Sequence, residues 1–179
     1  MNLNYYNQNN LTINGITYKD RMKELVEELK SNVKNMDKVP FSILMIGATG
    51  TGKTFLARCM GAEALKKNKT VLYVNVNEYL NSLKPDYEGV PLKYYAIICD
   101  LFILDDLGTE RITDYTNVEL NYIIDKRLND KKSTIITTNL VPDQIEEYYL
   151  SSTYSRLENS FDNRYLAGED LRRFKNADI

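Results

Sequence analysis

The chain has 179 residues, of which 23 are Lys or Arg and 25 are Asp or Glu, so its net charge is −2. This length suits one domain with a self-sufficient core, and the near balance of charge excludes a general attraction to nucleic acid or membranes. Histidine is absent, which excludes histidine-based catalysis and histidine-ligated metal sites.

Residues 1–10 are polar and rich in Asn and Tyr, without the apolar core of a signal peptide. No later apolar run approaches the ~18 residues of a membrane span. The two cysteines, Cys59 and Cys99, fall among apolar residues without metal-ligand spacing, which predicts buried thiols in a reducing compartment. We therefore expect a cytoplasmic protein with a flexible extension over 1–18 and one domain over 19–179.

The rest of the chain predicts alternating helices and strands. Apolar residues recur at three- and four-residue spacing over 19–36, which is typical of an amphipathic helix. Strands are predicted at 42–46, 71–76, 101–104 and 134–138, and helices at 55–67, 77–83, 114–128, 143–150 and 152–159. The apolar side of the helix over 114–128 is predicted at Tyr115, Val118, Tyr122 and Leu128. This alternation favours an α/β fold, a doubly wound parallel sheet with ligands at the carboxyl ends of its strands.

Residues 47–54 match the phosphate-binding loop G-x-x-x-x-G-K-[ST], set between an apolar strand and a helix. Its glycines allow backbone N–H groups to point at phosphate oxygens, and the helix adds its positive N-terminal end. Lys53 would place a charge on the β- and γ-phosphates, and the Thr54 hydroxyl would bind Mg²⁺. The predicted ATP-binding residues are Gly47, Ala48, Thr49, Gly50, Thr51, Gly52, Lys53, Thr54 and Phe55.

Acidic and amide side chains follow two of the other predicted strands. Asp105 is placed to hold Mg²⁺, mostly through water, and Asp106 to orient or deprotonate the attacking water. The alternative for this pair is a solvated acidic turn. Asn139 could position the water without adding charge, or it could be a capping or turn residue.

Five segments in order resemble the AAA+ ATPase domain of bacterial replicative-helicase loaders of the DnaC and DnaI type, to which the transposition helper IstB is similar. They are the phosphate loop with the Phe-Leu-Ala after it, Asp-Asp-Leu-Gly-Thr-Glu at 105–110, Thr-Ile-Ile-Thr-Thr-Asn-Leu at 134–140, Ser-Arg at 155–156 and Gly-Glu-Asp-Leu-Arg at 168–172. The resemblance covers about 19–173. It implies a P-loop NTPase sheet without a separate helical lid.

The resemblance also implies roles for particular residues. Asp106 stands where most AAA+ proteins have glutamate, and Asn139 senses the γ-phosphate. Arg156 reaches the site of a neighbouring subunit, and Arg172 acts as a second sensor.

For the whole protein, the resemblance implies a Mg²⁺-dependent ATPase, slow as a monomer, that acts in DNA replication with a replicative helicase and single-stranded DNA. Residues 1–18 are too short for the helicase-binding module that such loaders carry, so the sequence leaves the partner open. A transposition or phage helper ATPase and a nucleotide-dependent switch with negligible turnover remain alternatives. A small-molecule kinase is disfavoured, because no arginine-rich lid is found.

Several basic residues have two interpretations each. Arg156 is either a finger in trans or a surface residue that is solvated or paired with Glu158 or Asp162. Arg172 and Arg173 either sense phosphate or are solvated. Lys84 and Lys93 flank a loop that could face DNA. A second basic group either contacts DNA or complements a helix dipole: Lys126, Arg127, Lys131 and Lys132.

Overall fold

The computed structural model describes residues 12–13 and 16–166. Most of the predicted extension over 1–18 lies outside these ranges. The segment 168–172 lies outside them as well, and with it Arg172 and Arg173.

Seven strands and seven helices are described. The strands are β1 (Thr12–Ile13), β2 (Ile16–Thr17), β3 (Ser42–Ile46), β4 (Val71–Asn75), β5 (Leu101–Leu107), β6 (Ser133–Thr138) and β7 (Asp162–Tyr165). The helices are α1 (Tyr18–Asn35), α2 (Lys53–Leu65), α3 (Val76–Asn81), α4 (Leu92–Ile98), α5 (Asp114–Asn129), α6 (Pro142–Tyr148) and α7 (Ser151–Asn159).

Five of the strands form one parallel sheet in the order β4-β5-β6-β3-β7, and β1 and β2 form a small antiparallel pair. The chain therefore crosses the sheet repeatedly, and β3, which precedes the phosphate loop, lies between β6 and β7. The predicted doubly wound parallel sheet is confirmed. None of the described helices combines the length and apolar composition needed to cross a membrane.

Two hydrophobic cores lie on opposite faces of the sheet because successive strand residues point to opposite sides. Leu44 on β3 and Phe102 on β5 belong to the core under helices α3 to α7. Their neighbours Ile43 and Ile103 belong to the core under α1 and α2. Both faces are covered, which explains why β3 reads as an almost unbroken apolar run.

Several sequence predictions differ from the structure. The apolar side predicted for α5 is wrong, since Tyr115, Val118 and Tyr122 are exposed and the helix packs through the other side. That packed side carries Leu120, Ile123, Ile124 and Arg127. Apolar residues occur all around α5, so its periodicity alone does not select the buried side.

Two further differences concern a strand and a thiol. Strand β7 was not predicted, because its sequence Asp-Asn-Arg-Tyr is polar and lies at the sheet edge. Cys99 is buried as predicted, whereas Cys59 is only partly buried, so the prediction of a buried thiol is wrong there. Both cysteines are free thiols.

Candidate nucleotide site

The phosphate loop connects the end of β3 to the start of α2. Gly52, the residue before α2, has φ of 95°, a left-handed conformation that favours glycine. Gly47 lies against the main chain after β7, and a Cβ there would come within 2.3 Å of the Leu166 carbonyl oxygen. Ala48 and Thr49 at the crest of the loop are exposed, as is Phe55 in the first turn of α2. The loop is thus fixed at both ends and open to solvent at its crest.

Lys53 is nearly buried, and its ammonium group already lies among oxygen atoms. Its Nζ donates to the carbonyl oxygens of Gly47 and Ala48 at 2.6 and 2.9 Å, and to the Asn139 amide oxygen at 2.6 Å. Asn139 follows β6, the neighbour of β3 in the sheet. Parallel pairing therefore brings the predicted phosphate-binding lysine and the predicted sensor amide into direct contact.

Asp105 lies inside β5 and is 2% exposed. Its Oδ1 atom accepts hydrogen bonds from the Thr54 hydroxyl at 3.0 Å and the Thr137 hydroxyl at 2.6 Å. Its Oδ2 atom accepts one from the Tyr73 hydroxyl at 2.5 Å. A solvated acidic turn is therefore excluded for this residue, because the carboxylate is buried and bonded on both oxygens.

The contact between Thr54 and Asp105 has the chemistry of a Mg²⁺ site. Hydroxyl and carboxylate oxygens are the hard ligands that Mg²⁺ takes, usually in small number beside waters and substrate phosphates. Among the residues that the structure describes, no group of three or more acidic or thiol side chains could hold a metal ion. The pair thus fits a metal held mainly by nucleotide and water, with two protein oxygens.

Asp106 adopts an unusual backbone conformation for an aspartate. Its φ is 61°, and the register of β5 against β6 is irregular between Leu104 and Leu107. Its N–H donates to the Thr137 hydroxyl at 2.9 Å, and its Oδ2 accepts from the Asn75 amide at 3.4 Å. A left-handed non-glycine residue costs roughly 1–2 kcal/mol, and such strain is concentrated at functional sites. Strand β5 was expected to end before this pair, but it continues through it to Leu107.

Sequence reasoning missed two groups beside the acidic pair. One is Tyr73 of β4, which donates to Asp105 and accepts from Arg58 of α2 at 2.7 Å. Burial raises the pKa of Tyr73, and its hydrogen bond to Asp105 raises it further, so the phenol is a neutral donor. The only signal in the sequence was a tyrosine within the strand predicted at 71–76.

The second group fixes the turn after Asp106. The buried Glu110 accepts from the Gly108 N–H at 2.8 Å and from the hydroxyl of Tyr149, the residue that follows α6. Burial and the nearby Glu110 raise the pKa of Tyr149. The Glu110 side chain therefore ties the turn that follows β5 to α6.

Arg156 on α7 is paired within its own chain. Its Nε and Nη2 atoms donate to Asp125 Oδ1 of α5 at 2.8 and 2.5 Å, and its Nη1 donates to Asn121 Oδ1 at 3.2 Å. The alternative partners expected from the sequence, Glu158 and Asp162, are therefore wrong. The guanidinium is partly exposed and held against α5.

The basic residues in the last turn of α5 and just after it do not form one surface. Arg127 is 1% exposed and donates to main-chain oxygens, which excludes it from contact with DNA in this fold. Lys126 pairs with Asp130, and Lys132 donates to the Ile98 carbonyl oxygen, at the C-terminus of α4. Lys93 pairs with Glu119 of α5. The second basic group of the sequence is thus divided between core and helix ends.

Known proteins share this sequence pattern. Residues 11–154 match the family model of the IstB-like ATP binding protein. The replicative helicase loader DnaC of Buchnera aphidicola subsp. Baizongia pistaciae (strain Bp) is 30% identical over 124 residues, which are 66% of this chain and 50% of the relative. The chain spans about half the length of the curated relatives it matches.

Solved structures share the fold. The crystal structure of DnaI has a TM-score of 0.71 at 19% identity and covers 96% of this chain and 94% of that one. The replication initiator DnaA bound to AMPPCP and single-stranded DNA has a TM-score of 0.71 at 22% identity, covering 87% and 48%. The resemblance to helicase loaders inferred from the five segments is thereby confirmed. The family model matches most of the chain, and the phosphate loop follows a strand of the parallel sheet, as such a motif requires. This protein therefore belongs to the family of IstB-like ATP-binding proteins.

Proposed function

We propose that this chain is a Mg²⁺-dependent ATPase of the helicase-loader type, acting in the cytoplasm during DNA replication. One observation carries the proposal: the ends of β3, β5 and β6 bring the phosphate loop, Asp105 and Asn139 into one hydrogen-bonded group. Ligand binding at the carboxyl ends of parallel strands is the general rule for such sheets.

Nucleotide binding uses the loop N–H groups and Lys53 for the phosphates, and Thr54 and Asp105 for Mg²⁺. Bound Mg²⁺ would offset the negative charge of the phosphates. Lys53 exchanges its bond with Asn139 for a phosphate oxygen, because a charged phosphate is a stronger acceptor than an amide. Asn139 is then available to hydrogen-bond the γ-phosphate or the attacking water.

Hydrolysis depends on Asp106 and on a neighbouring subunit. Asp106 orients the water and takes its proton, and its backbone is held by Thr137, which also holds Asp105. Arg156 acts in trans on the site of the next subunit, for which it must leave Asp125. The monomer is therefore a slow ATPase, and assembly raises its rate. Arg172 is a further phosphate contact implied by family resemblance.

Single-stranded DNA and a replicative helicase are the proposed partners. Support comes from relatives named replicative helicase loaders and from the fold shared with a DNA-bound initiator. The match to the IstB-like model favours a second candidate, a transposition helper that uses the same ATPase. If the protein binds ATP but does not hydrolyse it, it acts as a nucleotide-dependent binding switch instead.

Two experiments test this function. ATP turnover is measured with and without single-stranded DNA, and Lys53→Ala serves as the control for contaminating ATPases. We expect slow turnover that rises with DNA and with protein concentration. No turnover above the Lys53→Ala level would reject the ATPase. Co-precipitation with purified replicative helicase in the presence of ATP then separates a loader from a transposition helper, which should not bind it.

A further inference from the structure

Tyr73 connects the acidic centre of the site to α2. It lies on β4, and its hydroxyl is 2.5 Å from Asp105 Oδ2 and 2.7 Å from Arg58 Nη2. The Arg58 guanidinium carbon also lies 4.7 Å from the centre of the Tyr73 ring. Two independent contacts therefore hold the phenol in place beside the carboxylate.

The direction of the phenolic O–H follows from these contacts. A guanidinium can only donate, so the Tyr73 oxygen must accept from Arg58. The single phenolic proton is then available to Asp105, whose carboxylate accepts. Arg58 lies one helical turn after Thr54 on α2, so the residue that aligns the phenol shares a helix with the proposed metal-binding hydroxyl.

The Asp105 carboxylate is fixed from both sides by this arrangement. Thr54 and Thr137 bind its Oδ1 atom, and Tyr73 binds Oδ2. Thr54 and Asp105 would hold the metal, and the hydrogen bond from Tyr73 to Oδ2 would restrict rotation of the Asp105 carboxylate. Partners that orient a ligand in this way affect metal affinity by about 10–100-fold in characterised sites.

We propose that Tyr73, aligned by Arg58, is a positioning residue that orients the Asp105 carboxylate for the Mg²⁺–nucleotide complex. This inference rests on the proposed function, since it concerns the same Mg²⁺ site. It assigns to Tyr73 a role in metal-dependent binding in addition to packing.

The test compares nucleotide affinity with and without metal. Binding of AMPPCP is titrated in Mg²⁺ and in EDTA, and the ratio of the two dissociation constants gives the gain from Mg²⁺. Tyr73→Phe removes only the hydroxyl, and we expect it to lower this gain about tenfold while leaving affinity in EDTA unchanged. Tyr79→Phe is the matched control, because the buried Tyr79 hydroxyl has no hydrogen-bond partner among the described residues. It should leave the gain at the wild-type value.

The outcomes separate three cases. An unchanged gain in folded Tyr73→Phe would overturn the positioning role, and so would an equal loss of affinity in Mg²⁺ and EDTA, which indicates general disruption. Arg58→Met removes the group that donates to the phenol, so the gain in affinity from Mg²⁺ should fall, as it does in Tyr73→Phe. An increased gain would show that Arg58 does not align the phenol. If the wild type itself gains nothing from Mg²⁺, the proposed metal site fails, and the role of Tyr73 fails with it. Melting temperatures measured without nucleotide verify that each variant is folded.

Discussion

Replacement of Arg127 by methionine should destabilise the protein strongly, although the residue touches no part of the nucleotide site. Arg127 is 1% exposed. Its guanidinium donates to the carbonyl oxygens of Ala96 and Cys99 near the end of α4, and to Ser133 O and Thr134 Oγ1 at the start of β6. It therefore joins three elements by bonds that no water can replace in a closed core.

The magnitude follows from these bonds. Arg127→Met retains a similar apolar stem but leaves the four nearest acceptors without this donor. A lost hydrogen bond of this kind costs roughly 1 kcal/mol, so we expect the free energy of unfolding to fall by about 4 kcal/mol. For a domain of this size the melting temperature should fall by roughly 10 °C.

Thermal and urea unfolding, followed by circular dichroism, measure the effect. Lys126→Met is the matched control, because it removes one positive charge from the adjacent position and breaks only a partly exposed pair with Asp130. That variant should change the free energy of unfolding by less than about 1 kcal/mol. Equal stability of Arg127→Met and Lys126→Met would refute the reasoning.

Three further predictions concern catalysis and assembly. Asp106→Asn should bind ATP and Mg²⁺ normally, but its turnover, measured by phosphate release, should fall ~10²-fold or more. If its turnover stays near wild type while Asp105→Asn is inactive, the roles assigned to Asp105 and Asp106 are wrong. Arg156→Ala should bind ATP but show no stimulation at high protein concentration, since a finger in trans contributes about 10³–10⁵ in rate. Its mixture with Lys53→Ala should recover partial activity, and no recovery in mixtures that co-assemble by light scattering would count against the trans role. Asp125→Asn should release Arg156 and raise turnover at low protein concentration, whereas unchanged turnover would argue that the pair does not restrain the finger.

The sequence predicted those parts of the fold that depend on local pattern. Strand β3 was predicted with the observed bounds because both of its faces are buried and its side chains are almost all apolar. The phosphate loop was predicted from its glycines and Lys53, whose spacing is dictated by the shape of a polyphosphate. The parallel sheet followed from the alternation of strands and helices, and the order of its strands came from the structure.

Contacts between distant segments could not be predicted in the same way. Tyr73 and Asp105 are 32 positions apart, and only the pairing of β4 with β5 brings them together. In the sequence, Arg127 is only a residue near the end of a predicted helix. Its burial could not be predicted, because the oxygen atoms that accept its hydrogen bonds belong to distant segments, near the end of α4 and at the start of β6. The left-handed conformation of Asp106 likewise depends on the neighbouring strand, through its bond to Thr137.

Titration of ATP into Lys53→Ala tests the central claim, nucleotide binding at this loop, most directly. The Lys53 ammonium group donates both to the loop carbonyl oxygens and to the Asn139 amide oxygen. Lys66→Ala at the end of the same helix, where the lysine is exposed and paired with Glu63, is the matched control. We predict wild-type affinity in Lys66→Ala and no measurable binding in Lys53→Ala, with both variants folded. Undiminished ATP affinity in folded Lys53→Ala would contradict the account.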